Sequence, residues 1–382
     1  MLKQILSLGS AVYFLGSFSS VLAAQVEPIA PSSEPPKLEV VAELQDRPAN
    51  IAVDLQGRIY VTLHPVDSPK TKMMLIDPKD GSSQVFPSEK WNEPTDENGV
   101  GVINAIGTRA TLSGTVTVLD MGDAKHSPRI VEFNQFMQQA SGVTYIPQNV
   151  LTEQSFLQDY AIDWDKNYYF IADMGQADPT KPAQPSIIAV NQRSNWVRRV
   201  LVDFQGLQPS KEPMLAEGKP VLVKDKTGKD VPLHLGLNPI TIDPLRDWLY
   251  FGPMGAGKLY RVPISKLING AVSKEEMEAS VEVVGDKPEC DGITIDAEEN
   301  IYITNVKDSE IGVMRPGGSY KTYIKDPRLV WADGFSFGPD GYLYLTISQL
   351  NRSAHYNLGK DTSAKPYLVV KFKPLAEGAI GR

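Results

Sequence analysis

A phrase that recurs along the chain limits its fold more than any other sequence feature. In each copy a small or acidic residue leads into an alternating apolar strand, and a turn then leads to a strand rich in aromatic residues. The clearest copies are Asn50–Thr62, Asp291–Thr304 and Asp333–Thr346. Internal repetition of this kind is typical of β-propellers, in which small sheets surround a central channel. We therefore expect an all-β chain with a binding site in that channel.

The repeat predicts a six-bladed propeller, with seven blades as the alternative. The first strand of each blade starts at a polar residue. The six starts are Asn50, Asn104, Asp159, Asn238, Asp291 and Asp333. The interval between the third and fourth starts is unusually long, because it contains a polar, turn-rich insertion at residues 204–234. A third strand follows within each repeat, as at Arg129–Phe133, and turn signals separate the strands.

The two ends of the chain are predicted to meet in one blade. The last repeat has its third strand at Tyr367–Phe372 but lacks an outer strand, while residues 38–44 read as a strand without a partner. Their pairing would close the ring and cover sheet edges that otherwise promote aggregation. Helix is scarce, and the pattern favours only short helical turns at Ser273–Ala279 and Phe133–Ala140.

Composition excludes one class of partner and favours another. The net charge is −8, so the chain lacks the basic surface that nucleic-acid binding requires. An acidic surface instead favours a cationic partner. The sequence also lacks the motifs of serine hydrolases, zinc proteases, phosphate-binding loops and dinucleotide-binding domains.

The first 24 residues have the pattern of a secretory signal peptide. Lys3 supplies a positive start, Ile5–Leu22 is apolar, and small residues follow at the expected cleavage site. We therefore expect a secreted or periplasmic protein.

The rest of the chain is predicted to be a short spacer and one large domain. Residues 25–36 are rich in Pro and Ser, and residues 37–382 contain the whole set of repeats. No segment after the signal peptide is apolar for long enough to span a membrane. Cys290 is the only cysteine, so no intramolecular disulfide can form, which suits a bacterial exported protein.

Two central phrases resemble the yellow/major royal jelly protein family. Ser155–Asp163 with Tyr169–Asp173 is similar to the family phrase SFLNDLAVD…YIAD, and Gly236–Pro244 with Leu249–Met254 fits its pattern G-(I/L)-x-P…LYF-x-PL. The chain departs from the family at Gln158, where the family phrase has Asn, and it lacks the paired cysteines of insect members. It is therefore similar to a bacterial-type member.

This resemblance implies an exported six-bladed propeller with a small-molecule site at the mouth of its channel. Insect salivary members bind biogenic amines, and other insect members are linked to dopachrome conversion. The implied ligand is a small organic molecule, cationic or aromatic, and whether the chain also turns it over stays open. The residues expected to contact this ligand are Asn50, Asn104, Asp159, Asn238, Asp291, Asp333 and Trp331.

A looser resemblance connects the chain with the gluconolactonase and senescence-marker-like lactonases. Those six-bladed enzymes hold a divalent ion at the channel centre with Glu, Asn and Asp side chains. Asp291 matches their Asp-Gly phrase, Asn238 matches their asparagine, and Asp159 supplies a third oxygen. Calcium or another divalent cation suits such oxygens, and it would polarise a lactone carbonyl or activate water. Asn50 stands in the place of their glutamate, which removes one charge.

Three functions therefore compete. The chain is a binder of a small organic ligand, a divalent-metal-dependent hydrolase of lactones or esters, or an interaction scaffold that uses its broad faces or the insertion. A simpler interpretation of the polar starts is that they hydrogen-bond backbone amides across a narrow channel. As a set, polar side chains that converge need a ligand or water to satisfy them, which favours a binding site.

Overall fold

Six small antiparallel sheets follow one another along the chain. The structure, a computed structural model, describes residues 36–93, 101–178, 181–194, 196–225 and 227–382. The predicted signal peptide, and all but the last residue of the predicted spacer, lie outside these ranges. Each of the six sheets has four strands, and together they form the blades of a propeller. The predicted six-bladed all-β fold is confirmed.

The first half of the chain builds three blades. Its strands are β1 (Glu39–Leu44), β2 (Pro48–Val53), β3 (Ile59–Leu63), β4 (Met73–Ile76), β5 (Ser83–Val85), β6 (Ala105–Ala110), β7 (Thr115–Asp120), β8 (Arg129–Asn134), β9 (Gln139–Tyr145), β10 (Leu157–Asp163), β11 (Tyr168–Asp173), β12 (Ser186–Asn191) and β13 (Val197–Val200). The sheets are β2–β5, β6–β9 and β10–β13, each in chain order.

The second half adds the insertion and three further blades. Its strands are β14 (Leu215–Ala216), β15 (Lys219–Pro220), β16 (Leu222–Lys224), β17 (Asp230–Pro232), β18 (Leu237–Ile242), β19 (Trp248–Pro253), β20 (Gly257–Pro263), β21 (Glu282–Lys287), β22 (Ile293–Ile295), β23 (Ile301–Asn305), β24 (Glu310–Met314), β25 (Lys321–Lys325), β26 (Ala332–Phe337), β27 (Leu343–Ile347) and β28 (Tyr367–Phe372). β18–β21 and β22–β25 form the fourth and fifth blades.

The sixth blade joins the two ends of the described chain. Its strand order is β26–β27–β28–β1, so β1 is the outer strand of a sheet whose other strands come last in the sequence. The pairing is antiparallel and runs from Glu39 opposite Lys371 to Leu44 opposite Tyr367. The predicted closure of the ring by residues 38–44 is confirmed.

The strands nearest the channel are buried on both faces because each blade packs between two others. All six residues of β2 and all five residues of β3 are buried. Aromatic and aliphatic side chains fill the space between sheets, as where Phe170 and Phe251, both fully buried, pack in one cluster between the third and fourth blades. Burial of apolar surface contributes about 25 cal/mol per Å², so these layers hold the channel ends of the strands in place.

Helix in the described residues is limited to short segments. The α-helices are α1 (Glu89–Asn92), α2 (Ile264–Leu267) and α3 (Lys274–Ala279), and the 3₁₀ helices are Pro65–Asp67, Gln148–Val150, Gln205–Leu207 and Leu350–Arg352. The predicted helical turn at 273–279 is confirmed, because the Ser273 side chain caps α3 by accepting a hydrogen bond from the Glu276 N–H. No described helix has the length and apolar character that a membrane crossing requires.

The predicted helical turn at Phe133–Ala140 is wrong. β8 runs on to Asn134, and a tight turn then leads directly into β9. The Asn134 side-chain oxygen accepts hydrogen bonds of 2.9 Å from the backbone N–H groups of Phe136 and Met137, and Gln138 has a left-handed φ of 51°. An asparagine that caps a turn in this way favours a hairpin over a helix.

The insertion forms two small hairpins, β14–β15 and β16–β17. The Glu217 carboxylate accepts hydrogen bonds from Asn351 Nδ2 at 2.9 Å and from Arg352 Nε at 3.0 Å. Leu222 also pairs with Asn357 in a parallel bridge. The hairpins are therefore fixed to the loop between β27 and β28 of the sixth blade.

Candidate functional site

Five of the six predicted strand starts line one small polar space in the channel, which we call the chamber. They are Asn50, Asp159, Asn238, Asp291 and Asp333. The sixth start, Asn104, lies instead in the wall of a larger adjoining cavity. There its side-chain amide donates a hydrogen bond of 2.8 Å to the carbonyl oxygen of Gly122.

Irregular strand pairing accompanies these polar side chains. The register between the two innermost strands of a blade shifts at or beside Asn50, Asp159, Asn238 and Asp333. Such β-bulges re-aim a side chain and are common next to binding sites. Asp291 precedes β22, and its backbone N–H is held by the Thr304 hydroxyl oxygen at 3.0 Å.

The glycines that follow Asp291 and Asp333 let neighbouring blades approach one another. A Cβ atom on Gly292 would lie 2.1 Å from the backbone oxygen of Asp333. A Cβ atom on Gly334 would lie 2.9 Å from the side-chain Cγ of Asn50. These distances leave no room for a larger residue. The repeated Asp-Gly phrase therefore has a geometric cause, since the aspartate lines the chamber while the glycine admits the next strand.

Arg109 of β6 binds two residues of the chamber, Asn50 and Asp159, although the sequence did not single it out. Its Nη2 donates to both carboxylate oxygens of Asp159, at 2.9 and 2.8 Å, and its Nη1 donates to Asn50 Oδ1 at 2.8 Å. The guanidinium also lies over the Tyr160 ring, 5.3 Å from its centroid. Burial raises the pKa of Asp159, and the attraction of Arg109 opposes that rise. The pair is a charge-assisted contact between the second and third blades.

Asp291 is held by two donors on opposite oxygens. Asn238 Nδ2 donates a short hydrogen bond to Oδ1, and Trp331 Nε1 donates one of 2.7 Å to Oδ2. Burial raises the pKa of Asp291 to about 7, although both hydrogen bonds act to lower it. The carboxyl group is therefore poised near neutrality, which is common at functional sites.

Asp333 differs because its carboxyl group accepts no hydrogen bond from any described residue, yet only 9% of the residue is exposed. Burial, followed by the nearby charges of Asp291 and Asp159, raises the pKa of Asp333 well above its usual range. Two acidic groups in one buried space disfavour double ionisation, so ionisation of one carboxyl group opposes ionisation of the other. Among the carboxyl groups of the chamber, that of Asp333 is therefore the one without a hydrogen-bond donor among the described residues.

The chamber adjoins a larger cavity of about 760 Å³, and the two share lining residues. The walls of the larger cavity include apolar side chains such as Met121, Phe156 and Met174, and the insertion adds Val223 and Leu233. This volume and mixed lining suit a small organic molecule, since such sites are mostly apolar with a few placed polar groups.

His64 and Tyr356 line both spaces and so lie where they meet. His64 Nδ1 accepts a hydrogen bond of 3.1 Å from the Val66 N–H, so the neutral ring carries its proton on Nε2. Burial, with the charges of Arg47 and His355, lowers the pKa of His64 to about 3. Burial raises the pKa of Tyr356 to about 12. Both side chains are therefore uncharged hydrogen-bonding groups at neutral pH.

Trp331 was predicted to contact the ligand, and the structure places it one layer behind the site. It is fully buried and lines neither the chamber nor the cavity. Its ring stacks on Tyr356 with centroids 6.1 Å apart, and its backbone φ of 51° is held by the Ser348 hydroxyl, which donates to its carbonyl oxygen. Trp331 thus positions Tyr356 and Asp291.

Comparison with known families agrees with the resemblance found in the sequence. A family model described as "Major royal jelly protein" matches residues 113–375, which is more than half of the chain. The chain belongs to the major royal jelly protein family. In this family member the matched region contains Asp159, Asn238, Asp291 and Asp333, whereas Asn50 and Arg109 precede it. A comparison with curated proteins finds no match.

Solved structures with the same architecture are distant in sequence. A luciferin-regenerating enzyme has a TM-score of 0.57 at 12% identity, over 91% of this chain and 98% of the other. A calcium-binding protein, regucalcin, from Agrobacterium tumefaciens has a TM-score of 0.55 at 13% identity, over 91% and 97%. A gluconolactonase from Xanthomonas campestris has a TM-score of 0.53 at 11% identity, over 89% and 90%. At these identities the likeness shows the propeller fold alone.

The chamber as arranged does not fit a divalent metal ion. Within the described ranges, no group of three or more His, Cys, Asp or Glu side chains is placed to hold one. Of the predicted ligands, Asp159 is bound by Arg109, and Asp291 accepts hydrogen bonds from Asn238 and Trp331. Calcium coordination through Asp159, Asn238 and Asp291 stays a prediction that this geometry does not favour.

Proposed function

We propose that this major royal jelly family member is an exported protein that binds a small organic cation with an apolar or aromatic body. The ligand lies at the channel mouth, with its charged group in the chamber and its body in the adjoining cavity. One observation carries the proposal: the unpartnered, buried carboxyl group of Asp333 faces a chamber that adjoins a cavity of about 760 Å³.

Charge within the chamber supports a cationic group. The charge of Arg109 already compensates that of Asp159. Of the carboxyl groups that line the chamber, Asp291 and Asp333 are therefore the two without a basic partner among the described residues. A buried carboxylate is unfavourable unless it is paired or hydrogen-bonded. A protonated amine supplies both the charge and the donors, and the amide oxygen of Gln158, which has no hydrogen bond to any described residue, can accept another.

The cavity supports the second part of the ligand. Phe156, Met121 and Met174 offer an apolar and polarisable wall, while His64 and Tyr356 offer uncharged hydrogen-bonding groups at the entrance to the chamber. An aromatic or aliphatic amine fits this division, because its apolar part leaves water as its charge is compensated. The hydrolase alternative lacks a suitable metal geometry. The scaffold alternative would use the insertion for partner binding, whereas here the insertion serves as part of the cavity wall.

The test is a matched pair of ligands that differ in charge. We expect 2-phenylethylamine to bind by isothermal titration at pH 7.5, and the neutral 2-phenylethanol to bind at least about tenfold more weakly, a difference of about 1.4 kcal/mol. Asp333→Asn should remove most of this preference. Asp286→Asn, at an exposed carboxylate of β21, is the matched control and should bind as the parent protein does. Equal affinity for amine and alcohol in the parent protein would contradict the proposal.

The exported location is a separate part of the proposal. Its support is the signal-peptide pattern of the first 24 residues. Amino-terminal sequencing of the protein from the periplasm or the culture medium should give a start near Ala24 or Gln25. A cytoplasmic protein that retains Met1 would contradict this part while leaving the ligand proposal unaffected.

A further inference from the structure

Arg109 supplies positive charge to a channel built from acidic residues. It belongs to the second blade, and its guanidinium reaches Asn50 of the first blade and Asp159 of the third. Only 9% of the residue is exposed. Its charge also acts on Asp333, because it opposes the rise in the pKa of that carboxyl group. The positive charge of the guanidinium therefore acts on the carboxyl group of Asp333 as well as on that of Asp159, its direct partner.

We infer that the Arg109 guanidinium is the resident cation of this channel and takes the place of a divalent metal ion. An arginine side chain cannot be deprotonated in a protein and cannot dissociate, so this charge is permanent. The protein is then independent of metal, and this property goes beyond the proposed ligand.

The inference has a consequence for the chain without Arg109. Removal of the guanidinium would leave the Asp159 carboxylate and the amide oxygen of Asn50 without their shared donor, in a chamber that Asp291 and Asp333 also line. Buried carboxylates without a cation are strongly unfavourable, and calcium accepts six to eight oxygen ligands in flexible geometry. Arg109→Ala should therefore gain a calcium affinity that the parent protein lacks.

The experiment measures melting temperature and metal content at pH 8, where more of the acidic groups are ionised. The parent protein should melt at the same temperature in EDTA and in about 1 mM calcium chloride, and elemental analysis should find no stoichiometric divalent ion. Arg109→Ala should melt lower in EDTA and rise by roughly 3 °C or more with calcium, saturating at one ion per chain. Arg109→Lys keeps the charge and should show no calcium response.

A surface pair provides the matched control. Arg328 pairs with Asp326 at 2.6 Å, and Arg328→Ala should leave the melting temperature indifferent to calcium. If Arg109→Ala does not fold in EDTA, the yield of folded protein with and without calcium gives the same comparison.

Two results would overturn the inference: a stoichiometric divalent ion in the parent protein, or no calcium effect on the melting or the yield of Arg109→Ala. A calcium response of equal size in Arg328→Ala would also overturn the assignment to the chamber. Amine binding by the parent protein is measured separately, so either proposal can fail alone.

Discussion

Trp331 Nε1 donates a hydrogen bond of 2.7 Å to Oδ2 of Asp291, which connects a fully buried aromatic layer to the acidic chamber. This bond stabilises the ionised carboxylate, because a donor favours the charged form of its acceptor. The indole thereby lowers the pKa that burial raises.

Trp331→Phe keeps an aromatic ring and removes this donor. We expect the pKa of Asp291 to rise further and the variant to lose about 1–3 kcal/mol of stability at pH 8, with a smaller loss at pH 5, where Asp291 is protonated in both proteins. Chemical denaturation at the two pH values checks this. Trp196→Phe, which changes a half-buried ring of the third blade, is the control. Its loss of stability should not depend on the pH.

The raised pKa of Asp333 predicts the sign of a pH effect on stability. An aspartate in the unfolded chain releases its proton above about pH 4, whereas Asp333 in the folded protein releases it only near its raised pKa. Between these two pH values folding becomes less favourable as the pH rises. Asp333→Asn removes this titration, while Arg109, Asp159 and Asp291 around it stay unchanged. Relative to the parent, the variant should become progressively more stable as the pH rises from 5 to 8. A constant difference across that range would contradict the assigned shift.

Cation binding should release protons. In the free protein burial raises the pKa of Asp333 well above its usual range and that of Asp291 to about 7, and a bound amine favours the ionised form of both groups. Titration of 2-phenylethylamine at pH 7 in buffers of different ionisation enthalpy should show a net release of protons on binding. A binding enthalpy that does not depend on the buffer would place the amine away from this pair.

Gly292→Ala should destabilise the propeller without changing its charge. The new Cβ atom would lie 2.1 Å from the backbone oxygen of Asp333, and a backbone atom cannot give way as a flexible side chain does. We expect a loss of about 2–4 kcal/mol, at or above the usual range for overpacking. Gly270→Ala is the matched control, because no atom lies within 4 Å of its added Cβ atom, and its stability should change little.

The contacts of Glu217 predict an effect on dynamics rather than on stability. Glu217→Gln weakens the pair with Arg352, which is partly exposed and contributes less than about 1 kcal/mol. The hairpins of the insertion should open more often, so trypsin should cleave faster after Lys224 while the melting temperature stays nearly constant. Glu298→Gln, in an exposed pair with Arg315, should leave the cleavage rate unchanged.

The sequence predicts the architecture well because the fifth and sixth blades show the demands of the fold clearly. A polar residue must face the channel, a small residue must admit the neighbouring strand, and apolar residues must fill the space between sheets. Asp291-Gly292 and Asp333-Gly334 show all three, so the repeat was visible without any structure. The closing strand was predictable for a related reason, since the last repeat lacked an outer strand.

The functional details were less accessible, because they depend on how the strand starts are aimed. Ala105–Ala110 reads as an ordinary strand, but its pairing shifts register between Ala105 and Thr108. A one-residue shift reverses the face of every later side chain, so the direction of Arg109 could not be read from alternation. Its signal was an arginine inside an otherwise buried strand. His64 and Tyr356 lie in loops far apart in sequence, and only the closed ring brings them together.

The pairing of β1 with β28 also constrains how the chain acquires its structure. The sixth sheet needs residues from both ends of the described chain, so the ring cannot close until Tyr367–Phe372 have been synthesised. Contacts of such long sequence separation form slowly. A nascent chain of this design therefore keeps its ring open until β28 has been made, and β1 waits for its partner strand until then.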